Sequence, residues 1–82
     1  MTRADLIKTF QRMASEIAEK DFSHVSEDNV IADLGIDSLG MLELIGAMER
    51  EMQITIPDEQ LVGIQKVRQL LDLIERRTQA QG

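Results

Sequence analysis

The segment Asp33-Leu34-Gly35-Ile36-Asp37-Ser38-Leu39 delivers one hydroxyl from a glycine-containing loop to the start of an apolar run, Gly40-Met41-Leu42-Glu43-Leu44-Ile45. The first amides of a helix lack internal partners and carry the positive end of its dipole, so a phosphate ester on Ser38 would be well placed there. Asp-Ser before an apolar run is equally an ordinary helix-capping signal, with Asp37 as the cap, and local chemistry leaves both readings open. Other chemistry is poorly supplied. The chain has no cysteine, which excludes disulfides, thiolate metal ligands and a cysteine nucleophile; any thiol must come from something attached. His24 is the only histidine, and it has neither the companions for a metal site nor a matched nucleophile and acid for a triad. Asp33 and Asp37 have the wrong spacing for a calcium-binding loop. The chain is therefore expected not to be an enzyme and to hold no metal.

The elements that position Ser38 follow from periodicity. Leu6, Ile7, Phe10, Met13, Ala14 and Ile17 recur at three- and four-residue spacing and predict a first helix over residues 3–19, opened by a capping box between Thr2 and Asp5. Residues 21–36 lack a sustained period and read as a long loop pinned by Phe22, Val25, Val30, Ile31 and Leu34, of a length more often functional than decorative. A second helix is predicted over residues 38–52 from Leu39, Leu42, Ile45, Met48 and Met52. Met41 and Leu44 broaden its stripe, so it is expected at the centre of the bundle and buried over much of its circumference. Gln53-Ile54-Thr55-Ile56 reads as an extended linker, and Pro57-Asp58-Glu59 as the start of a short third helix limited to about two turns by Gly63. Val67, Leu70, Leu71 and Ile74 set a last helix over residues 66–77, followed by a frayed polar tail over 78–82. The expected fold is all-α: a small four-helix bundle of three longer helices and one short third helix, with a long loop between the first two, forming one domain over residues 1–77.

Composition narrows the function. With 82 residues and 43% apolar content the chain makes one globular domain with little room for an enclosed active site. Phe10 and Phe22 are the only aromatics, so the core is aliphatic and methionine-rich, hence adaptable. The net charge is −6, concentrated between residues 21 and 60, with both ends slightly basic. Such a field repels phosphate backbones, which excludes nucleic acid as a partner, and speeds encounter with partners bearing Arg or Lys patches. No apolar run approaches the ~20 residues of a membrane span and the N-terminus does not read as a signal peptide, so a cytoplasmic, monomeric protein is expected.

Gly35-Ile36-Asp37-Ser38-Leu39 is similar to the Gly-x-Asp-Ser-Leu signature of the acyl and peptidyl carrier proteins. The resemblance extends through Glu43-Leu44, Glu49, Ile54, Ile56-Pro57-Asp58-Glu59 and Val67-x-x-Leu70-x-Asp72-Leu73-Ile74, in order, over about residues 6–75. It implies that a phosphopantetheinyl transferase, using magnesium, joins the 4'-phosphopantetheine of coenzyme A to Ser38, and that acyl groups ride on the arm's thiol as thioesters. It further implies that Asp37 positions Ser38, that Leu39 lies near the base of the arm, and that Glu43 and Glu49 face the basic patches of acyl-loading, synthase and acyl-transfer enzymes.

Several positions depart from the pattern of fatty-acid carriers. Gly40 and Arg50 stand where acids are common, Gly46 replaces a larger apolar residue, and Gln65-Lys66 replace threonines before the last helix, weakening its cap. Gly46 either opens space for cargo or permits close approach of another helix. The departures favour a dedicated pathway such as polyketide or other specialised acyl assembly. The alternatives are an aminoacyl or peptidyl carrier, and an unmodified helical adaptor that binds partners through the second helix.

Overall fold

Thr2 and Asp5 close a reciprocal capping box at the start of helix α1, Arg3–Ala18: the Asp5 amide donates to the Thr2 hydroxyl (3.1 Å) and the Thr2 amide to the Asp5 carboxylate (3.2 Å). The Thr2 amide and hydroxyl hold the Asp5 carboxyl below its ordinary value. This contribution is complete above the unfolded group's pKa and is lost as pH falls through the lower folded value. In this computed structural model, which describes residues 2–81, α1 is followed by a loop, helix α2 (Ser38–Met52), a second connection and helix α3 (Val67–Gln81). The fold is all-α, as expected. The short third helix is smaller than expected: a single 3-10 turn, Asp58–Gln60, followed by turns to Gly63, so three α-helices rather than four carry the bundle.

Leu6, Phe10, Met13 and Ala14 of α1 meet Leu44, Ile45 and Met48 of α2 and Val67, Leu70, Leu71, Leu73 and Ile74 of α3 in one continuous core. Contrary to expectation, α2 is not buried around most of its circumference: Leu39 and Leu42 stand 65% and 63% exposed. At about 100° per residue Leu42 lies some 160° around the helix from Leu44, so a face centred on Leu44 and Met48 necessarily turns Leu42 outward.

The long loop is ordered by burial and backbone pairing together. Phe22, Val25, Ile31 and Leu34 are buried, the last two in a 3-10 turn, Ile31–Leu34. Val30 is only half-buried and is held through its backbone instead, in an isolated antiparallel bridge to Lys66. The Ile31 amide donates to the Gln65 carbonyl (2.8 Å) and the Val67 amide to the Asn29 carbonyl (3.0 Å). This bridge also answers the missing threonines before α3. The Arg68 amide donates to the Glu27 carbonyl, and the Gln69 side chain accepts from the Gln65 and Lys66 amides at 2.8 and 2.9 Å, so the helix start is capped by its own third residue and by the loop. Arg3 adds a polar staple, with its guanidinium against Glu27 of the loop (2.7 Å) and Asp72 and Glu75 of α3 (2.6 and 2.9 Å). Hydrogen bonding, to Glu27 above all, holds Arg3 above its already high pKa, so it stays cationic throughout the working range.

α3 continues four residues beyond the expected Arg77, and Thr78 donates its hydroxyl to the Ile74 carbonyl (2.6 Å); residues 78–81 are therefore helical, while Gly82 lies outside the described residues. At the end of α2, Gln53 adopts a left-handed conformation and the Gln53 and Ile54 amides both donate to the Glu49 carbonyl. The Glu49 carboxylate accepts from the Ile56 amide at 2.8 Å, and Arg77 donates to the Thr55 carbonyl at 2.9 Å. These bonds hold residues 53–56 extended and sink Ile54 and Ile56 into the core. Glu49→Gln, which keeps an acceptor, is expected to cost about 1 kcal/mol or less, and Glu49→Lys about 1–3 kcal/mol, because the half-buried Ile56 amide then loses its partner. Urea denaturation of the two variants checks this; equal stabilities would mean that the carboxylate does not hold the linker.

Candidate functional site

Gly35 sits at φ +78°, in the left-handed region, and ends the 3-10 turn so that Ile36 and Asp37 run directly into α2. Asp37 is the cap: its carboxylate accepts from the Gly40 amide (2.7 Å) and its carbonyl from the Met41 amide (2.8 Å). Ser38 is then the first helical residue, exposed, with its hydroxyl not needed for capping. Among the described residues the Ser38 and Leu39 amides find no acceptor, so two donors remain at the positive end of the helix beside the hydroxyl.

Gly40, which the sequence presents only as a missing acid, is a site of close approach. A Cβ there would lie 3.0 Å from Ile36 Cγ2 and 3.1 Å from the capping oxygen of Asp37. Any side chain at this position presses on the cap or on Ile36. Glycine therefore keeps the Asp37–Gly40 bond short and the turn tight.

Beside Asp37 and Ser38 opens an apolar groove of about 710 Å³, lined by Ile31, Ile36, Met41, Ile45, Leu61 and Ile64 among others. Its far wall comes from the connection between α2 and α3, and the Val30–Lys66 bridge ties that wall to the long loop. The sequence does not mark Leu61 and Ile64 as groove walls: Leu61 falls within the expected short third helix and Ile64 just beyond its limit at Gly63. A serine phosphodiester fits this setting on the structure's own terms: an exposed hydroxyl, two unpaired amides beside it, and an apolar channel for whatever extends from it.

The remaining predicted residues divide. Leu39 and Glu43 are exposed on the same end of α2 as Ser38. Glu49 is half-buried and committed to the Ile56 amide. His24 is exposed in the loop and lines neither recess beside Asp37, and Asp33 is exposed in the 3-10 turn. Among the described residues no set of His, Cys, Asp and Glu side chains gathers as metal ligands do, and no helix is long and apolar enough to cross a membrane.

Gly46 faces a recess of about 430 Å³ between α1 and α2, lined also by Met13, Ile17 and Ala47. It does not line the groove beside Ser38, and no other helix closes on it: a Cβ would meet only the Arg50 guanidinium, at 3.6 Å. Gly46→Ala is therefore expected to raise stability by about 0.5–1 kcal/mol through helix propensity alone. A thermal midpoint that falls instead would reveal a backbone contact that the geometry does not show.

Residues 8–74 match the protein family described as the phosphopantetheine attachment site. The acyl carrier protein of Guillardia theta is 35% identical over 81 residues, covering 98% of this chain and all of that one. That of Clostridium perfringens strain SM101 is 37% identical over 76 residues, covering 85% and 97%. Among solved structures, the acyl carrier protein of Thermotoga maritima superposes with a TM-score of 0.89 at 34% identity, covering 98% of this chain and 94% of that one. The acetyl form of the actinorhodin acyl carrier protein of Streptomyces coelicolor gives 0.73 at 29% identity, covering 100% and 95%. The chain belongs to the acyl carrier proteins, non-catalytic carriers that bear a covalently attached 4'-phosphopantetheine and work with a phosphopantetheinyl transferase and acyl-handling enzymes.

Proposed function

We propose that Ser38 is the attachment point, and that the chain carries acyl intermediates of a specialised pathway, polyketide assembly foremost, in the cytoplasm as a monomer. The observation that carries the assignment is the exposed Ser38 hydroxyl at the first turn of α2, released from capping duty by Asp37 and flanked by unpaired amides. Attachment joins the Ser38 oxygen to the pantetheine-bearing phosphorus of coenzyme A and breaks the pyrophosphate bond, with the adenosine bisphosphate half leaving and the serine proton passing to the transferase. Once attached, the arm supplies a terminal thiol that holds acyl groups as thioesters. The chain's own part is to hold and shield. Asp37 fixes the turn, the Ser38 and Leu39 amides face the phosphodiester, Leu39 lies near its base, and the apolar groove takes hydrocarbon out of water at about 0.8 kcal/mol per buried methylene.

The pathway reading rests on Gly40 and Arg50, which make α2 less acidic than the fatty-acid pattern, and on the likeness to the actinorhodin carrier. Glu43 is the exposed acid nearest Ser38 within α2 and is available to a partner's basic patch, and Glu49 adds charge through its carboxylate while tied to the linker. Glu43→Lys is expected to slow modification by the transferase several-fold at low salt, chiefly through the on-rate, with the difference shrinking as salt rises. Rates independent of both charge and ionic strength would reduce Glu43 to a solvated surface residue.

The test of the function is intact mass after incubation with coenzyme A, magnesium and a broad-specificity transferase, followed by loading with malonyl, fatty-acyl and aminoacyl donors. One added phosphopantetheine and acyl loading are expected. No added mass overturns the carrier reading, and loading by aminoacyl donors alone overturns the acyl one.

A further inference from the structure

Two walls of the apolar groove are joined to each other by a short antiparallel ladder. The Ile31 amide donates to the Gln65 carbonyl (2.8 Å), the Val67 amide to the Asn29 carbonyl (3.0 Å) and the Arg68 amide to the Glu27 carbonyl (2.9 Å), in one register around the Val30–Lys66 bridge. Val30, Ile31 and Ala32 line the groove from one strand of this ladder, and Leu61, Ile64 and Gln65 from the segment that leads into the other. One end of the ladder is therefore groove wall, and the Glu27–Arg68 rung is the end beyond it. Two paired strands without a third are marginally stable in water, so such a ladder frays from a free end unless something holds it.

Arg3 holds that end. Its guanidinium donates to both members of the last rung, through Nε and Nη2 to the Glu27 carboxylate (2.9 and 2.7 Å) and through Nη2 to the Arg68 carbonyl (3.3 Å). The same group pairs with Asp72 and Glu75, so the loop is fastened to α1 and α3 at one point. Asp28 and Arg68 add an ion pair at this rung, but both are more exposed than Arg3 and Glu27, and exposed pairs contribute little. Arg3 does not line the groove, and it lies far from the attachment turn. Ile17, further along α1, comes within 3.9 Å of where a Gly40 Cβ would stand, and the helix rises about 21 Å between Arg3 and Ile17.

We propose that Arg3 is a positioning residue for the cargo: by clamping the Glu27–Arg68 rung it keeps the ladder zipped, and the zipped ladder keeps the groove walls at the spacing that shields an acyl thioester borne on Ser38. With the clamp cut, the ladder opens from its outer end and the walls part. The inference rests on the carrier reading for the cargo but not for the clamp.

Three variants separate the clamp from general stability. Arg3→Met keeps the aliphatic stem and removes the guanidinium, Glu27→Gln weakens the loop's link to it, and Arg12→Met breaks a surface network with Glu16 and Glu51 that has no part in the ladder. Amide hydrogen exchange on the isotope-labelled full chain compares Ile31, Val67 and Arg68 with Met48 inside α2. Arg3→Met and Glu27→Gln are expected to speed exchange of the three ladder amides roughly three- to tenfold, as for loss of a partly buried, charge-assisted pair, with Met48 changing less. Arg12→Met should leave the ladder amides unchanged. Each chain is then given an octanoyl-bearing arm by the transferase, and cleavage of the thioester by hydroxylamine is timed by intact mass. The first two variants should lose the acyl group roughly two- to fivefold faster than the unaltered chain and Arg12→Met. Ladder exchange that is equal in all four chains, or that rises no more than exchange at Met48, overturns the clamp. Faster ladder exchange with an unchanged thioester lifetime overturns its part in shielding. Failure of the unaltered chain to take the arm overturns the carrier reading and the shielding with it, while the exchange rates still decide the clamp.

Discussion

Ser38→Ala is expected to abolish uptake of phosphopantetheine completely while changing stability by no more than about 0.5 kcal/mol. Two features of the turn separate these effects. The serine oxygen is the nucleophile in the proposed attachment, and alanine offers none, so the loss is total rather than graded. The capping bond belongs to Asp37, whose carboxylate takes the Gly40 amide at 2.7 Å, so deleting the neighbouring hydroxyl removes no bond that the helix depends on. Ser38 is also exposed, and alanine has the higher helix propensity, so the small remaining change is as apt to stabilise as to destabilise. Asp37→Ala is the natural contrast: it retains the nucleophile but should cost about 1 kcal/mol through the lost cap, and slow modification by loosening the turn. Intact mass and urea denaturation of the two variants check both statements. An arm on the alanine variant, or an arm found on Ser15, Ser23 or Ser26 of the unaltered chain, sinks the assignment.

The parts of this architecture that were legible in the sequence are those governed by local rules. The bounds of α2 coincide with its predicted range because Asp37 signals the cap and the apolar period begins immediately after it. The Thr2–Asp5 box was visible for the same reason. What escaped depends on pairs distant in the chain. The Val30–Lys66 bridge joins two segments that each look irregular, and it supplies the partners that made the start of α3 appear poorly capped. Arg3 reads as an ordinary charge at a helix start, yet it gathers carboxylates from residues 27, 72 and 75. Periodicity marked Leu39 and Leu42 as core because a stripe in the sequence does not say which edge of it faces a neighbour. Glu49 illustrates the converse: the family resemblance implied a partner contact for it, but the end of α2 turns the linker back within reach of its carboxylate.

The site combines these two levels. The attachment turn is local, but the groove beside it is not: one wall is the long loop, the other the connection between α2 and α3, and the bridge and the buried loop residues help to hold the walls at their spacing. A domain of this size has limited core to do so. Met13 and Met48 within that core, and Met41 at the groove, are flexible side chains whose packing adapts readily. The rigid anchors must lie elsewhere, and Phe10, wholly buried on α1, is the largest of them.

Phe10→Ala is therefore expected to be the most damaging single truncation for the fold, costing about 3–5 kcal/mol. The ring has no exposed surface, and the core cluster it belongs to draws side chains from all three helices and the loop in a close-packed interior, so little of the cavity is expected to close. For a chain of this length total stability is on the order of 4–12 kcal/mol, so the variant should remain folded in the cold but lose much of its margin. The thermal midpoint should drop by roughly 12–40 °C, at 4–8 °C per kcal/mol for a small domain. Val62→Ala is the matched control: with 83% of the residue exposed, it should stay within about 0.5 kcal/mol of the unaltered chain. The damage should also be separable from the chemistry. Below the lowered midpoint, Phe10→Ala should still accept the arm at Ser38, since Phe10 lines neither recess beside Asp37. Calorimetry and intact mass on the same samples read the two effects apart. A Phe10→Ala chain that melts within a few degrees of the unaltered one would mean that the core is not anchored on α1, and that the loop and groove owe their order to some other contact.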